Sequence, residues 1–116
     1  MSNLKPRYTP TSYGEAVRIL ANRGRSRVVL CYATHLQDDA SGPAIYHHGS
    51  RIIQYAPNGD ITLYGYGWAT RTTADRMHRF TPAWVRVNSR RARLGVEIDG
   101  RDIGDASLAP ITVRPR

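Results

Sequence analysis

Ile52-Ile53-Gln54-Tyr55-Ala56-Pro57-Asn58-Gly59-Asp60-Ile61-Thr62-Leu63 is the stretch that decides the fold. Two runs of strand-forming residues flank a Pro-Asn-Gly-Asp turn. Asn-Gly tolerates the positive φ that a tight hairpin requires. The pattern predicts residues 52–55 paired antiparallel with residues 61–66.

Upstream, Ser12-Tyr13-Gly14-Glu15 has the form of a capping box, a hydroxyl followed three residues later by a carboxylate. Tyr13, Ala16, Val17 and Leu20 then repeat at helical spacing, and Asn22-Arg23-Gly24 supplies a stop. A first helix is predicted over 13–22, lying over a sheet. Residues 27–36 read as one strand, with Val28, Leu30, Tyr32, Thr34 and Leu36 on one face. Residues 37–43 are polar and turn-like, and 44–48 form a short strand. Gly49-Ser50 allows a kink or bulge before the strand over 51–55.

Downstream, Thr72-Thr73-Ala74-Asp75 opens a second, short helix with a threonine cap, ended by Thr81-Pro82. Residues 84–88 and 92–98 alternate around Ser89-Arg90-Arg91, which reads as a hairpin tip. Asp99-Gly100 closes that unit. Beyond it the pattern weakens, although Ile111 and Val113 could add an edge strand. The expected fold is α+β: a small, mostly antiparallel sheet of about five strands with an N-terminal helix and a short second helix. Its core contains Leu20, Val28, Leu30, Ile53, Leu63, Phe80 and Val85. The expected organisation is a flexible basic arm over 1–11, one domain over 12–105 and a tail over 106–116.

A chain of 116 residues fits one domain. Its single cysteine, Cys31, excludes an internal disulfide and a cysteine-based zinc site. No apolar run approaches the roughly 20 residues of a membrane helix, and no apolar segment follows the basic N-terminus. A cytoplasmic location is expected.

Catalytic patterns are absent. Cys31 sits mid-strand, where cysteine is small core filler. Ser50 has no base and orienting acid nearby. His35, His47, His48 and His78 raise a metal or hydrolase reading. Adjacent His47 and His48 point to opposite faces of a strand, however, and cannot share an ion without a bulge. No cofactor and no enzymatic activity are expected.

Charge is the informative feature. The chain carries 17 basic and 9 acidic residues, a formal net charge of +8. Arg71, Arg76, Arg79, Arg86, Arg90, Arg91 and Arg93 face one acid, Asp75, so this segment alone carries +6. Sixteen of the basic residues are arginine, a good fork for phosphate. A GC-rich genome also replaces lysine with arginine, so clustering is the better evidence. Tyr64, Tyr66 and Trp68 alternate on one face of the strand that begins at Ile61. Exposed, with arginines around them, they would form a stacking platform for bases. Buried, they would fill a second small core under the second helix.

Several motifs resemble a family of small proteins common in phages of actinobacteria, mycobacteriophage-like in type. They are Asn22-Arg23 after the first helix, His48-Gly49-Ser50-Arg51-Ile52-Ile53, the Pro57-Asn58-Gly59 turn, and the run from Gly67-Trp68-Ala69-Thr70-Arg71-Thr72-Thr73 to Arg76-Met77-His78-Arg79-Phe80. The resemblance covers about residues 13–98. Tyr64 and Tyr66 stand where the family has smaller polar residues, and Leu94-Gly95-Val96 where it has an aromatic pair. The resemblance implies a phage origin and brings no catalytic or binding role with it.

The sequence therefore points to a small basic non-enzymatic nucleic-acid-binding protein of phage type, with DNA favoured over RNA. The seven arginines would contact phosphate, and Tyr64 and Tyr66 would stack on bases. The alternative partner is an acidic host protein, inhibited or redirected in the host cytosol. No membrane partner is expected.

Overall fold

The structure, a computed structural model, describes residues 7–24, 26–65 and 69–115. Its elements run α1 (Tyr13–Arg23), β1 (Arg27–Cys31), β2 (Thr34–Asp39), β3 (Gly42–His47), β4 (Ser50–Tyr55) and β5 (Ile61–Leu63). They continue with α2 (Arg71–Arg79), β6 (Val85–Arg90), β7 (Arg93–Ile98), β8 (Arg101–Asp105) and β9 (Ile111–Val113). The described strands form two antiparallel sheets. One has six strands in the order β1-β2-β3-β4-β5-β9, the other three in the order β6-β7-β8. The α+β class is as expected, with nine described strands in place of about five.

The deciding hairpin forms as read. Ile53 pairs with Leu63 and Tyr55 with Ile61. Gly59 takes φ +97°, and the Asp60 N–H donates to Asn58 Oδ1 at 3.0 Å, an Asx turn. Its register extends across the sheet. Val28, Leu36, Ile45, Ile53 and Leu63 lie in one cross-strand row, and all are buried. Leu20 of α1, Met77 and Phe80 at α2, and Val85, Leu94 and Val96 of the second sheet complete one core. Each such side chain contributes about 1.5–3 kcal/mol on burial. All seven expected core residues belong to it.

Helix α1 starts as read: Ser12 Oγ accepts from the Glu15 N–H at 3.2 Å. The Glu15 carboxylate reaches one residue further back than a capping box requires, to the Thr11 N–H at 2.8 Å. Gly24, at φ +60°, ends the helix.

Three readings need correction. The expected strand over 27–36 is a hairpin, β1 against β2, with exposed Tyr32 and half-buried Ala33 at its turn. Ala33 takes φ +54° without being glycine or asparagine, so no turn signal marks it. The polar stretch over 37–43 is mostly strand, because Gln37, Asp38 and Asp39 continue β2 opposite Ala44, Pro43 and Gly42. Asp99-Gly100 does not close the second hairpin but turns β7 into β8, which lacks an alternating apolar face.

The first and last described stretches both bond to the sheet. The Arg7 N–H donates to the Leu30 carbonyl at 2.7 Å, and Pro10 is buried. The stretch read as a tail supplies β9, which pairs with β5 at the sheet edge. No described helix is long and apolar enough to cross a membrane.

Candidate nucleic-acid interface

Helix α2 organises the basic surface. Thr70, extended at φ −94° and ψ 155°, caps it and accepts from the Thr73 N–H at 3.1 Å. The cap therefore lies two residues before the expected Thr72. Thr73, Arg76, Met77 and Phe80 follow at i, i+3, i+4 and i+7, the spacing of one helix face, and all four are buried. This overturns the expectation that Arg76 is a surface contact. Met77 and Phe80 do turn inward, and the same periodicity carries Arg76 in with them.

Arg76 is 1% exposed, and two of its three nitrogens are engaged. Its Nε donates to Thr34 Oγ1 at 3.1 Å, and an Nη to Asp75 Oδ2 at 2.8 Å. The same carboxylate oxygen accepts from Arg79 Nε at 2.9 Å, so half-exposed Arg79 is partly neutralised.

The remaining arginines spread over the outer face of the β6–β7 hairpin and the start of α2. Val85 and Val87 point into the core, while Arg86, Asn88 and Arg90 alternate outward. Helix α2 packs beside β6, leaving a cleft of about 300 Å³ lined by Arg71, Asp75, His78, Arg86, Asn88 and Ser89. Asn88 and Ser89 also line an adjoining cleft of about 530 Å³, with Arg90, Arg91, Arg93, Glu97 and Asp102. The two clefts are neighbours that share Asn88 and Ser89. Arg71, Arg86, Arg90 and Arg91 are exposed along them.

The acids of residues 97–105 are interleaved with these arginines. Glu97 stands opposite Arg86 in register. Arg93 reaches Asp105 at 3.5 Å and Asp102 at 4.0 Å, so it is largely compensated. Burial would raise the Asp105 pKa. The Ser107 hydroxyl, the Leu94 and Ser107 N–H groups and Arg93 outweigh that and hold it below the ordinary value.

Of the aromatic row expected from the sequence, only Tyr64 lies among the described residues. Tyr64 is half-buried, and the Arg51 guanidinium lies 4.4 Å from its ring centroid, a cation–π contact that occupies one face. Tyr66 and Trp68 lie outside the described residues.

Sequence reasoning missed the polar node behind Arg76. Thr34 and His47 are partners across β2 and β3. Thr34 Oγ1 lies 2.9 Å from the Tyr32 carbonyl, 2.9 Å from His47 Nδ1 and 3.1 Å from Arg76 Nε. A hydroxyl has one proton and two lone pairs. Arg76 Nε can only donate, so that one proton serves either the Tyr32 carbonyl or the Nδ1 of His47. Burial, with His48 and Arg76 close by, lowers the His47 pKa to about 4. His47 is therefore neutral at pH 7. Only the pairing of distant strands reveals this node.

His47 is buried, and His48 follows at φ +51° with its ring edge-on to that of His47, centroids 4.5 Å apart. Among the described residues no group of three metal-ligating side chains occurs.

No family model matches the chain, and no curated protein and no solved structure is significantly similar to it.

Proposed function

We propose that this protein is a non-enzymatic nucleic-acid-binding module whose contact surface is the groove between α2 and β6 and around the β6–β7 tip. One observation carries this reading. Arg71, Arg86, Arg90 and Arg91 are exposed along two neighbouring clefts that share Asn88 and Ser89. Guanidinium forks suit phosphate oxygens, and amide and hydroxyl groups add hydrogen bonds to phosphate or sugar. Among the described residues lining the clefts there is no phenylalanine, tyrosine or tryptophan, so the proposed binding is to the backbone and sequence-tolerant. DNA duplex is the favoured form.

Four phosphate contacts would make log Kd depend on log salt with a slope of roughly 3 to 4. The test is titration of fluorescent duplex and single-stranded DNA and RNA at low and moderate salt. The wild type should bind at low salt with that slope. An Arg71→Ala/Arg86→Ala/Arg90→Ala/Arg91→Ala variant that keeps its fold should lose most binding. No binding to any of these probes at low salt overturns the reading, and directs attention to an acidic protein partner.

A further inference from the structure

Gly95 is out of place in the fold. It lies in β7, the middle strand of the second sheet, opposite Asn88 of β6 and Asp105 of β8. Glycine inside a strand packs nothing and loses the most freedom on folding, a cost that a left-handed backbone or a close neighbour normally explains. Neither applies here. Gly95 is not among the glycines of positive φ. Among the described residues beyond its chain neighbours, the one atom within 4 Å of a Cβ built there is the Asn88 carbonyl oxygen, at an ordinary 3.9 Å. Leu94 and Val96 are buried in the core. The missing side chain therefore leaves a hollow on the outer face, in the floor of the cleft of about 530 Å³.

The two ends of the hollow differ in charge. Glu97 and Arg93 stand on either side of Gly95 on the same face of β7, roughly 13 Å apart for four residues of strand. Arg93 is held by Asp105 and Asp102, but Arg90 opposite it and Arg91 at the tip are exposed. Among the described residues nothing bonds to the Asn88 amide or the Glu97 carboxylate. A simple anion is repelled at the Glu97 end and a simple cation at the arginine end. A nucleotide suits both, with a neutral planar base over the bare backbone of Gly95 and a phosphate toward the arginines. A carboxylate only accepts hydrogen bonds. The Watson–Crick edge of guanine offers it two adjacent N–H donors, whereas the other bases set an acceptor beside each donor.

We propose that the hollow over Gly95 binds an unpaired guanine nucleotide, its Watson–Crick edge on Glu97 and its phosphate on Arg90 and Arg91. This rests on the reading of the arginine clefts as a nucleic-acid surface. It adds a base preference that a duplex, with its Watson–Crick edges paired, does not show.

Short fluorescent oligothymidylates carrying one central guanine, one hypoxanthine or neither serve as probes, titrated at low salt. Hypoxanthine is guanine without its amino group, and so lacks one of the two donors. The guanine strand should bind about fivefold more tightly than the hypoxanthine strand, the gain expected for one half-exposed hydrogen bond. Glu97→Gln replaces an acceptor by a donor and should remove most of that preference without weakening the plain strand. Gly95→Val fills the hollow and should remove it too. The same change should raise the melting temperature, because valine suits a strand and meets no close neighbour there. Equal affinity for the guanine and hypoxanthine strands, or a preference undiminished in either variant, overturns the proposal and leaves the arginine surface standing. Binding of no strand at all overturns both.

Discussion

Arg76 Nε donates to Thr34 Oγ1 at 3.1 Å, joining the second helix to the second strand through a bond that no solvent reaches. The most inward arginine of the basic segment is thus a structural part.

Arg76→Ala should destabilise the protein by about 2–3 kcal/mol, toward the lower end for breaking a buried charged pair, because Asp75 keeps Arg79 and some solvent. Arg90→Ala and Arg91→Ala should each stay within about 0.5 kcal/mol of wild type, since both side chains are exposed. Urea denaturation distinguishes the two cases. An unchanged midpoint for Arg76→Ala would contradict the role assigned to it.

Stability should fall between pH 6.5 and about 4. The folded pKa of His47 lies below its unfolded value, so the unfolded chain takes up a proton that the folded one refuses. The contribution is fully present above 6.5, declines as pH falls, and levels off near 4. It amounts to roughly 2–4 kcal/mol. His35, also lowered mainly by burial, acts in the same direction. His47→Gln should flatten most of the slope between pH 7.5 and 4.5 in denaturation experiments. A slope unchanged from wild type would show that His47 is not its source.

Gly65→Ala should cost more than about 2 kcal/mol or prevent folding. A Cβ there would sit 2.5 Å from the Ala106 carbonyl oxygen and 2.8 Å from Ser107 Cα, backbone atoms that cannot swing aside. Gly14→Ala is the control. Nothing lies within 4 Å of its Cβ position, and α1 should gain about 0.5 kcal/mol. Thermal melts of the two variants should move in opposite directions.

Glu97→Gln should strengthen nucleic-acid binding about two- to threefold at low salt, with little effect at high salt. The carboxylate stands opposite Arg86 and offsets its field. Titration at two salt concentrations checks this, and weaker binding would count against Arg86 as a contact.

The Asn58-Gly59 hairpin and the apolar stripe were legible because turn chemistry and alternation agree there. The β1–β2 and β6–β7 turns were not. Ala33, Arg91 and Ala92 take positive φ without being glycine or asparagine. Residues 27–36 therefore read as one continuous strand, and the second tip reads as Ser89-Arg90-Arg91, whereas the chain turns at Arg91-Ala92. Strand β8 was missed because Asp102 and Ile103 are both exposed, leaving no period to detect. At the candidate site, the exposed hairpin arginines were legible from charge density. Arg76 was not, because hydropathy marks arginine as a surface residue. Its partner Thr34, and the His47 bonded to Thr34 in turn, come from strands some thirty to forty residues away.

The non-glycine turns carry a measurable cost. Ala33→Gly and Ala92→Gly should each stabilise the protein by about 0.5 kcal/mol, the relief of left-handed backbone less the added freedom of the unfolded chain. Destabilisation by both would contradict these turn conformations.

The pairing of β5 with β9 sets an order of events during synthesis. Thr62 meets Thr112 across fifty residues, and the whole second sheet lies between them. A chain emerging from its N-terminus can complete β1 to β5 while β9 is still unmade. Throughout that interval β5 is a bare edge, its amides and carbonyls open to any extended chain nearby. Crowded nascent copies would adhere through β5, and fast translation of residues 64–113 would shorten the exposure.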